Sequence, residues 1–251
     1  DDIILSARGS EAGGVGAGAA YVIFGKASGF GTIDLTNPLA GSDGFMIMGD
    51  EDFDVGASVG AADFNNDGFD DLIVGAPDFD VSGRFDAGGA FVIFGKASGW
   101  GTVNLAGIDA RPQEGFRILG ATVDDLAGNS VSSAGDVNGD GFEDIIIGAA
   151  KGNAGGYAAG EAYVIFGKST GIGPIDLAAI RNGSSPTTGF MIQGDASGDA
   201  AGTSVAGGGD VNGDGFDDVL VGAPFAYDPS SIQPGATYVI FGKATGFGTV
   251  D

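Results

Sequence analysis

The chain of 251 residues contains no cysteine and no histidine, and only ten lysine and arginine residues. These absences exclude a disulfide framework, thiolate chemistry, a zinc site and a histidine general base. No apolar run approaches the roughly 20 residues that a membrane-spanning helix needs, so we expect no membrane insertion. The 34 acidic residues give a net charge of -24. A surface this acidic repels nucleic acid and anionic lipid, so neither is expected as a partner.

Glycine and hydrophobic residues are what the chain has in abundance. Its 51 glycines are roughly a fifth of the chain, against a usual share of about 7%. Hydrophobic residues make up 43% of the chain and include 18 phenylalanines, which provide a core and predict a folded protein. The acidic side chains repel one another in a compact state, which favours bound cations, although a merely very soluble surface would carry the same charge.

Three phrases recur along the chain with a period of about 73 residues. AYVIFGK at 20–26 returns at 90–96, 162–168 and 237–243, with one or no changes. DFNNDGFDD at 63–71 returns as DVNGDGFED at 136–144 and DVNGDGFDD at 210–218. GFMIMGD at 44–50 has relatives at 115–121 and 189–195. We therefore interpret 1–251 as one segment of four repeat units, namely 1–50 (partial), 51–121, 122–195 and 196–251 (partial).

Each unit contains four short segments rich in Val, Ile, Phe and Ala and bounded by Gly, Pro, Asp and Asn, which predicts strands. Some of these segments, such as DLIVGA at 71–76, are continuously apolar, as is typical of strands covered on both faces. No stretch shows a helical period, so we predict almost no helix and about 14 strands, in groups of three, four, four and three. The predicted fold is an all-β β-propeller built of four-stranded antiparallel blades. The repeats of the structural rival, a parallel β-helix, are usually far shorter.

The order of motifs resembles a known family. G-x-S-V, D-x-N-x-D-G-F-x-D, G-A-P and Y-V-I-F-G follow one another as in the FG-GAP repeat of integrin α-subunit β-propellers, which also occurs in bacterial secreted and surface proteins. The resemblance covers essentially the whole chain, although the middle unit has IGAA at 147–150 where its neighbours have VGAP. It implies a propeller of which about 3.5 blades are visible, cut from a larger, seven-bladed ring. One alternative is a fragment that pairs with another copy to complete a ring. The other is that the remaining repeats belong to the protein but are not among residues 1–251.

The nine-residue phrases carry acidic or amide side chains at positions 1, 3, 5 and 9 and glycine at position 6. An EF-hand is excluded because it needs Glu at position 12, where Val74, Ile147 and Val221 lie inside predicted strands. A metal-free polar turn is the other interpretation, and three loops that keep every ligand position disfavour it. Ca²⁺ takes six to eight oxygen ligands, whereas Mg²⁺ prefers fewer protein ligands. The phrases therefore predict strand–loop–strand calcium hairpins, which the resemblance also implies.

The predicted ligands are the side chains at positions 1, 3, 5 and 9 and the backbone carbonyl at position 7. They are Asp63, Asn65, Asp67, Phe69 and Asp71 in the first loop, Asp136, Asn138, Asp140, Phe142 and Asp144 in the second, and Asp210, Asn212, Asp214, Phe216 and Asp218 in the third. Because Asp1 and Asp2 align with Asp70 and Asp71, we predict a fourth site truncated at Asp2. The acidic residues at position 8 are expected to face water; they are Asp70, Glu143 and Asp217.

Three further repeated sets are given structural rather than functional interpretations. A second acidic set is expected to be solvated turn residues; it comprises Asp52, Asp54, Asp124, Asp125, Asp195 and Asp199. A lysine after each FG is expected to protect strand edges; these are Lys26, Lys96, Lys168 and Lys243. One apolar residue per unit is expected to plug the outer rim of a blade rather than to contact a ligand; these are Phe30, Trp100, Ile172 and Phe247.

The predicted function is that of an extracellular or cell-surface, calcium-binding propeller that acts in adhesion or surface assembly by binding protein or carbohydrate. No enzymatic activity is expected, because the best acidic positions belong to the calcium loops. Open blade edges are expected to promote self-association. One alternative is a rigid structural subunit of a surface layer or filament. Another is the accessory propeller of a secreted enzyme that cleaves polysaccharide or lipid.

Overall fold

The computed structural model describes residues 2–29, 31–35, 39, 42–50, 53–226 and 234–250. Within these ranges the helical elements are α1 (Leu177–Arg181) and a 3₁₀ turn at Ile108–Ala110, and the regular structure is otherwise strands. The prediction of an all-β chain with almost no helix is confirmed. Asp1, Phe30 and Asp52, which belong to predicted sets, lie outside the described residues.

Sixteen strands within the described ranges form four sheets, one for each repeat unit. In chain order they are β1 (Ile3–Ala7), β2 (Ala19–Ile23), β3 (Gly44–Met48), β4 (Val59–Ala62), β5 (Asp71–Gly75), β6 (Gly89–Ile93), β7 (Val103–Asn104), β8 (Gly115–Leu119), β9 (Ala127–Gly135), β10 (Asp144–Ala149), β11 (Glu161–Ile165), β12 (Ile175–Asp176), β13 (Gly189–Gln193), β14 (Ser204–Gly209), β15 (Asp218–Ala223) and β16 (Ala236–Ile240).

The sheets are propeller blades of antiparallel strands, as predicted. The second blade has the order β4-β5-β6-β8 and the third β9-β10-β11-β13, each with consecutive antiparallel neighbours. The first blade contains β1-β2-β3 and the fourth β14-β15-β16. These 14 strands are the predicted groups of three, four, four and three.

The two remaining strands, β7 and β12, were not predicted. Each extends the outer edge of the preceding blade in parallel, β7 along β3 and β12 along β8. A parallel bridge between Ile192 and Val250 repeats the arrangement on the outer strand of the third blade. Each of these segments follows the FGK phrase of its own unit, so the chain pairs with the preceding blade before it forms its own outer strand.

Buried apolar side chains fill the three joints between neighbouring blades. Strand β5 is buried along its whole length, and its adjacent residues Ile73 and Val74 belong to different clusters, one at each joint of the second blade. The side chains of β10 also alternate between two clusters. Ile145 belongs to the cluster at the joint with the second blade, and Ile146 belongs to the cluster at the joint with the fourth. Successive side chains of a strand point to opposite faces, so continuously apolar strands are what a blade between two neighbours requires.

The glycine that follows the central apolar run lets the next blade approach closely. A Cβ added at Gly148 of β10 would lie 2.0 Å from the carbonyl oxygen of Gly202, which belongs to the segment that leads into the next blade. Gly75 of β5 has the same relation to the carbonyl oxygen of Gly128, also at 2.0 Å. The glycine at this position, which begins GAP at 75–77 and GAA at 148–150, is therefore required by backbone contact across the joint.

We predict that Gly148→Ala lowers the free energy of unfolding by about 2 kcal/mol or more, because the new methyl group overlaps backbone that belongs to the neighbouring blade. Chemical denaturation followed by circular dichroism measures the change. Gly101→Ala is the matched control, since an added Cβ there meets no atom within 4 Å. Equal effects of the two substitutions would contradict this account of the motif.

Candidate metal-binding loops

Each predicted calcium loop joins the innermost strand of a blade to the strand beside it. Residues 63–71 lie between β4 and β5, 136–144 between β9 and β10, and 210–218 between β14 and β15. The inner strand ends at the residue before position 1, and position 9 is the first residue of the following strand. The three loops therefore occupy equivalent places at the same end of their blades.

The carboxylate at position 1 organises the turn by accepting hydrogen bonds from the backbone that curls around it. Asp136 Oδ1 accepts from the N–H groups of Gly139 at 2.7 Å and Asp140 at 3.0 Å, and its Oδ2 accepts from Gly141 at 2.9 Å. Asp210 makes the equivalent three bonds, and Asp63 makes two of them. These bonds lower the pKa of Asp210 below its ordinary value, with the Gly215 N–H contributing most.

The carboxylate at position 9 is buried and ties the loop to the FG motif. Asp144 is fully buried, and its Oδ1 accepts from the N–H of Gly167 at 2.9 Å. The same bond joins the FG glycine to the aspartate in the other three units, as Gly25 to Asp2, Gly95 to Asp71 and Gly242 to Asp218. A Cβ at Gly167 would lie 2.5 Å from the carbonyl oxygen of Glu143. A side chain at position 167 would therefore push the end of β11 away from the start of β10.

The first loop contains two buried oxygen atoms without a hydrogen-bond partner among the described residues. They are Asn65 Oδ1 and Asp71 Oδ2, at positions 3 and 9. Burial, with added repulsion from the carboxylates of Asp67 and Asp63, raises the pKa of Asp71 to about 7. Burial is also the main cause that raises the pKa of Asp144 to about 7 in the second loop. A buried oxygen atom that accepts no hydrogen bond is available to coordinate a cation. The first loop therefore offers oxygen donors of the kind that Ca²⁺ binds.

The side chains of the loops do not converge as a finished cation cage. Among the described residues no group of three or more Asp, Glu, His or Cys side chains is arranged to hold a metal ion. In the second loop Asn138 Nδ2 donates to Asp140 Oδ2 at 3.0 Å, and Asn212 and Asp214 repeat the contact at 2.9 Å. The amide nitrogen therefore faces the neighbouring carboxylate, and a rotation of the amide would be needed to present its oxygen.

At position 8, Asp70 and Glu143 are exposed, as expected, but Glu143 and the half-buried Asp217 also accept hydrogen bonds from a neighbouring loop. Glu143 Oε2 accepts from the backbone N–H of Asp63 at 3.3 Å, and Asp217 Oδ2 accepts from that of Asp136 at 2.8 Å. Each bond crosses a joint to position 1 of the preceding loop. The sequence signal was an acidic residue at position 8 in all three loops, but its partner lies 80 or 81 residues away.

The second acidic set divides into exposed and buried members. Asp124 and Asp195 are exposed, as expected of turn residues. Asp125 and Asp199 are buried, contrary to expectation, because each accepts a backbone N–H of its own turn, from Thr122 and Ala196 respectively. Arg181 of α1 lies 3.5 Å from Asp125, which places a cation beside a buried carboxylate.

A cavity of about 990 Å³ lies at the other end of the first two blades from the loops. Asp54 of the second acidic set forms part of its wall and receives a hydrogen bond at 3.1 Å from the guanidinium of Arg8. Phe53 and Phe79 contribute aromatic surface, and their rings meet edge to face with centroids 5.1 Å apart. The cavity therefore combines apolar surface with acidic groups and one basic group.

The aromatic residues that follow the FGK phrases pack on the preceding blade. Trp100 stacks on Phe45 of β3 with ring centroids 4.1 Å apart and planes 4° apart, and Phe247 stacks on Phe190 of β13 at 4.4 Å. Ile172 packs against the cluster between the second and third blades. This agrees with the expected rim role, and Phe30 lies outside the described residues.

Two of the lysines cover these rings instead of standing at a bare strand edge. Lys96 Nζ lies 4.7 Å from the centroid of Trp100, and Lys243 Nζ lies 5.3 Å from that of Phe247. Lys26 Nζ lies 3.4 Å from Asp43 Oδ1. The contacts to the rings are cation–π interactions, which add to the packing of the rim.

Four-stranded blades that repeat every 73 residues or so, each with an acidic loop between its first two strands, define a β-propeller repeat protein. The model of the FG-GAP repeat matches residues 55–93, 127–165 and 201–250, together about half of the chain, so the chain belongs to the FG-GAP repeat family. No helix in the described ranges is long and apolar enough to cross a membrane.

Similar proteins include integrin α-subunits and one enzyme. Integrin alpha-6 of Gallus gallus is 32% identical over 173 residues, which cover 67% of this chain and 13% of that protein. Integrin alpha-5 of Xenopus laevis is 31% identical over 185 residues, 72% of this chain and 15% of that protein. Phosphatidylinositol-glycan-specific phospholipase D of Bos taurus is 32% identical over 176 residues, 68% and 19% respectively. The chain thus spans less than a fifth of each of these relatives.

We predict that Trp100→Ala lowers the free energy of unfolding by about 2 kcal/mol or more, because it removes the stack on Phe45 and leaves a gap between the first two blades. Denaturation monitored by circular dichroism measures the loss. Tyr157→Ala is the control, since Tyr157 is 84% exposed and its removal should change stability by less than about 0.5 kcal/mol. A Trp100 variant as stable as the control would favour a ligand-contact role for the rim.

Proposed function

We propose that this chain is an extracellular, calcium-stabilised propeller segment that acts in cell adhesion or surface assembly by binding protein or carbohydrate. The observation that carries the proposal is the set of equivalent acidic loops, of which the first holds two buried oxygen atoms that find no hydrogen-bond partner in the part of the chain that the structure describes. The segment is taken as the whole of 1–251, part of a larger, seven-bladed ring. Its family membership and its similarity to integrin α-subunits support a place in adhesion.

The calcium part of the proposal assigns three complete sites and a fourth represented by Asp2. In each complete site the side chains at positions 1, 3, 5 and 9 and the carbonyl at position 7 supply oxygens, the donor type that Ca²⁺ prefers. Three carboxylates give each loop a charge of -3, which a divalent cation offsets for the most part. Asp2 already makes the position-9 bond to Gly25 at 2.8 Å, which supports its place in a loop of the same kind.

An extracellular place follows from the affinity that such loops need. Calcium at millimolar concentration outside cells fills sites of modest affinity, with dissociation constants of about 10⁻⁴–10⁻³ M in extracellular modules. The net charge of -24 makes the acidic side chains repel one another in the compact state, which favours bound cations at neutral pH. These two features together favour the cell surface or secretion.

The ligand surface is proposed at the end of the blades opposite the loops, where the cavity beside Phe53 and Asp54 lies. Calcium then stabilises the segment from one end while the other end meets the partner. Self-association through sheet edges is a further part of the proposal, supported by the exposed side chains of Tyr238 and Val239 on β16. A rigid subunit of a surface layer or filament is the structural alternative.

A second candidate function is that of a propeller that accompanies a secreted enzyme. The similarity to phosphatidylinositol-glycan-specific phospholipase D over two thirds of this chain favours it. On this alternative the chain itself performs no chemistry, and its acidic loops keep the same calcium role.

Calcium removal from three sites is predicted to lower the melting temperature by roughly 16–32 °C. At a calcium concentration 100 times the dissociation constant each site stabilises the folded state by about 2.7 kcal/mol. In a chain of this length each kcal/mol corresponds to roughly 2–4 °C. Differential scanning calorimetry with calcium and with EDTA measures the shift, and equilibrium dialysis should count three calcium ions per chain.

Asp140→Ala should reduce the count to two, whereas Asp124→Ala, which removes an exposed carboxylate outside the loops, should leave it at three. A melting curve that EDTA leaves unchanged, together with no calcium by elemental analysis, would refute the calcium proposal.

Binding assays are predicted to separate adhesion from catalysis. The calcium-loaded chain should bind a component of a glycan array or of a cell surface without releasing sugar or lipid products. Asp80→Asn, at the wall of the proposed ligand cavity, removes the charge but keeps an oxygen acceptor for the Asp86 N–H; it should weaken that binding at least threefold and leave the melting temperature unchanged. Hydrolysis by the purified chain alone would contradict the non-enzymatic part of the proposal.

A further inference from the structure

The acidic side chain at position 8 connects each loop to the preceding one. Asp217 Oδ2 accepts from the backbone N–H of Asp136 at 2.8 Å, and the N–H of Asp217 donates to the carbonyl oxygen of Asp136 at 3.1 Å. Asp217 therefore holds both backbone polar groups of the first residue in the second loop. At the joint before it, Glu143 Oε2 accepts from the N–H of Asp63 at 3.3 Å and from Ser133 Oγ at 3.2 Å.

A second contact at each joint holds position 2 of the same loop. The N–H of Lys243 donates to the carbonyl oxygen of Val137 at 2.9 Å, and that of Lys168 donates to the carbonyl oxygen of Phe64 at 3.0 Å. At the joint between the second and third blades Asn66 Nδ2 also donates to the carbonyl oxygen of Gly141 at 2.9 Å. The first two residues of a loop are thus held by the following blade as well as by their own loop, in which the Val137 N–H donates to Asp144 Oδ2 at 3.0 Å.

These contacts start from residues adjacent to the core of the next site. Asp217 precedes Asp218, the position-9 ligand proposed for the third loop, and Lys243 follows Gly242, whose N–H donates to Asp218 Oδ1 at 2.9 Å. Asp217, which holds Asp136, and Lys243, which holds Val137, are therefore each next in sequence to a residue of the Asp218–Gly242 bond. Glu143 and Lys168 have the same relation to the Asp144–Gly167 bond.

We propose that Glu143 and Asp217 are positioning residues for the calcium site of the preceding blade, so that the sites are coupled in series across the blade joints. This inference rests on the proposed function, because it assigns a role toward the calcium that the loops are proposed to bind. Each residue sets the backbone of position 1, whose carboxylate organises its loop. Calcium that orders one loop also orders its position-8 residue, and it therefore favours calcium binding in the preceding loop. This effect is reciprocal between the two sites.

The test measures calcium affinity loop by loop. Hydrogen–deuterium exchange with mass spectrometry, repeated over a series of free calcium concentrations, gives a midpoint for each of the peptides that contain 63–71, 136–144 and 210–218. In Asp217→Ala the midpoint of 136–144 should rise about tenfold, the effect of losing one hydrogen bond to a charged group. The midpoint of 210–218 should change less than threefold, although Asp217 lies in that loop.

Asp70→Ala is the matched control. Asp70 holds position 8 in the first loop and is exposed, and no residue in the described ranges hydrogen-bonds to its side chain. Its substitution removes the same charge from the same place in a loop, so it should move every midpoint less than threefold. Asp217→Asn keeps an oxygen acceptor for the Asp136 N–H and should restore the midpoint of 136–144 to within threefold of the wild type.

The outcomes separate this inference from the function on which it rests. Three calcium-dependent loops in the wild type, with 136–144 shifted no more by Asp217→Ala than by Asp70→Ala, would overturn the coupling and leave calcium binding intact. An equal shift of all three loops would also overturn it, because that result indicates general loss of structure. Wild-type protein without calcium-dependent protection in any loop would overturn the proposed function, and the coupling with it.

The joint between the second and third blades provides a second, independent variant pair if Asp217→Ala does not fold. Glu143→Ala should raise the midpoint of 63–71 about threefold, a smaller effect because its bond to Asp63 is longer, and Glu143→Gln should reverse it. An unchanged 63–71 midpoint in Glu143→Ala would overturn the coupling at this joint.

Discussion

One hydrogen bond recurs in all four units, and much of each blade depends on it: the FG glycine donates its N–H to the loop-closing aspartate. It joins the end of the third strand to the start of the second, at the point where the loop from the innermost strand arrives. In the second blade the donor is Gly95 and the acceptor Asp71, at 2.8 Å. The aspartate is buried in the second, third and fourth units, and a buried carboxylate needs compensation. The acidic loop and the FG motif are therefore two parts of one arrangement.

The sequence predicted the blades well because their determinants are local and periodic. Continuously apolar runs such as 71–76 report a strand between two neighbours, and the acidic phrases mark the turn that follows each inner strand. The strands β7 and β12 were not predicted, because two-residue pairs leave no periodicity to read. Their pairing with the preceding blade accompanies the packing of Trp100 and Ile172 on that blade, and both are tertiary contacts between distant segments.

The place of the candidate loops in the fold was predictable from the sequence, whereas their connections to one another were not. The regular spacing of Asp136, Asn138, Asp140 and Asp144 was sufficient to place a polar loop between two strands. The partner of Asp217 was not predictable, because the bond to Asp136 spans 81 residues and depends on how blades stack. Asp125 and Asp199 were expected in solvent for a similar reason: only the folded turn shows which of two neighbouring carboxylates turns inward.

The short strands β7 and β12, which pair with the blade before their own, have a mechanical consequence. Because β12 pairs along β8 before the chain continues to β13, the third unit crosses its own joint and returns. Force applied along the chain would load this crossing in shear as well as the apolar cluster beneath it. Neighbouring blades would therefore resist separation together, and tension would be shared along the row of blades instead of opening them one at a time.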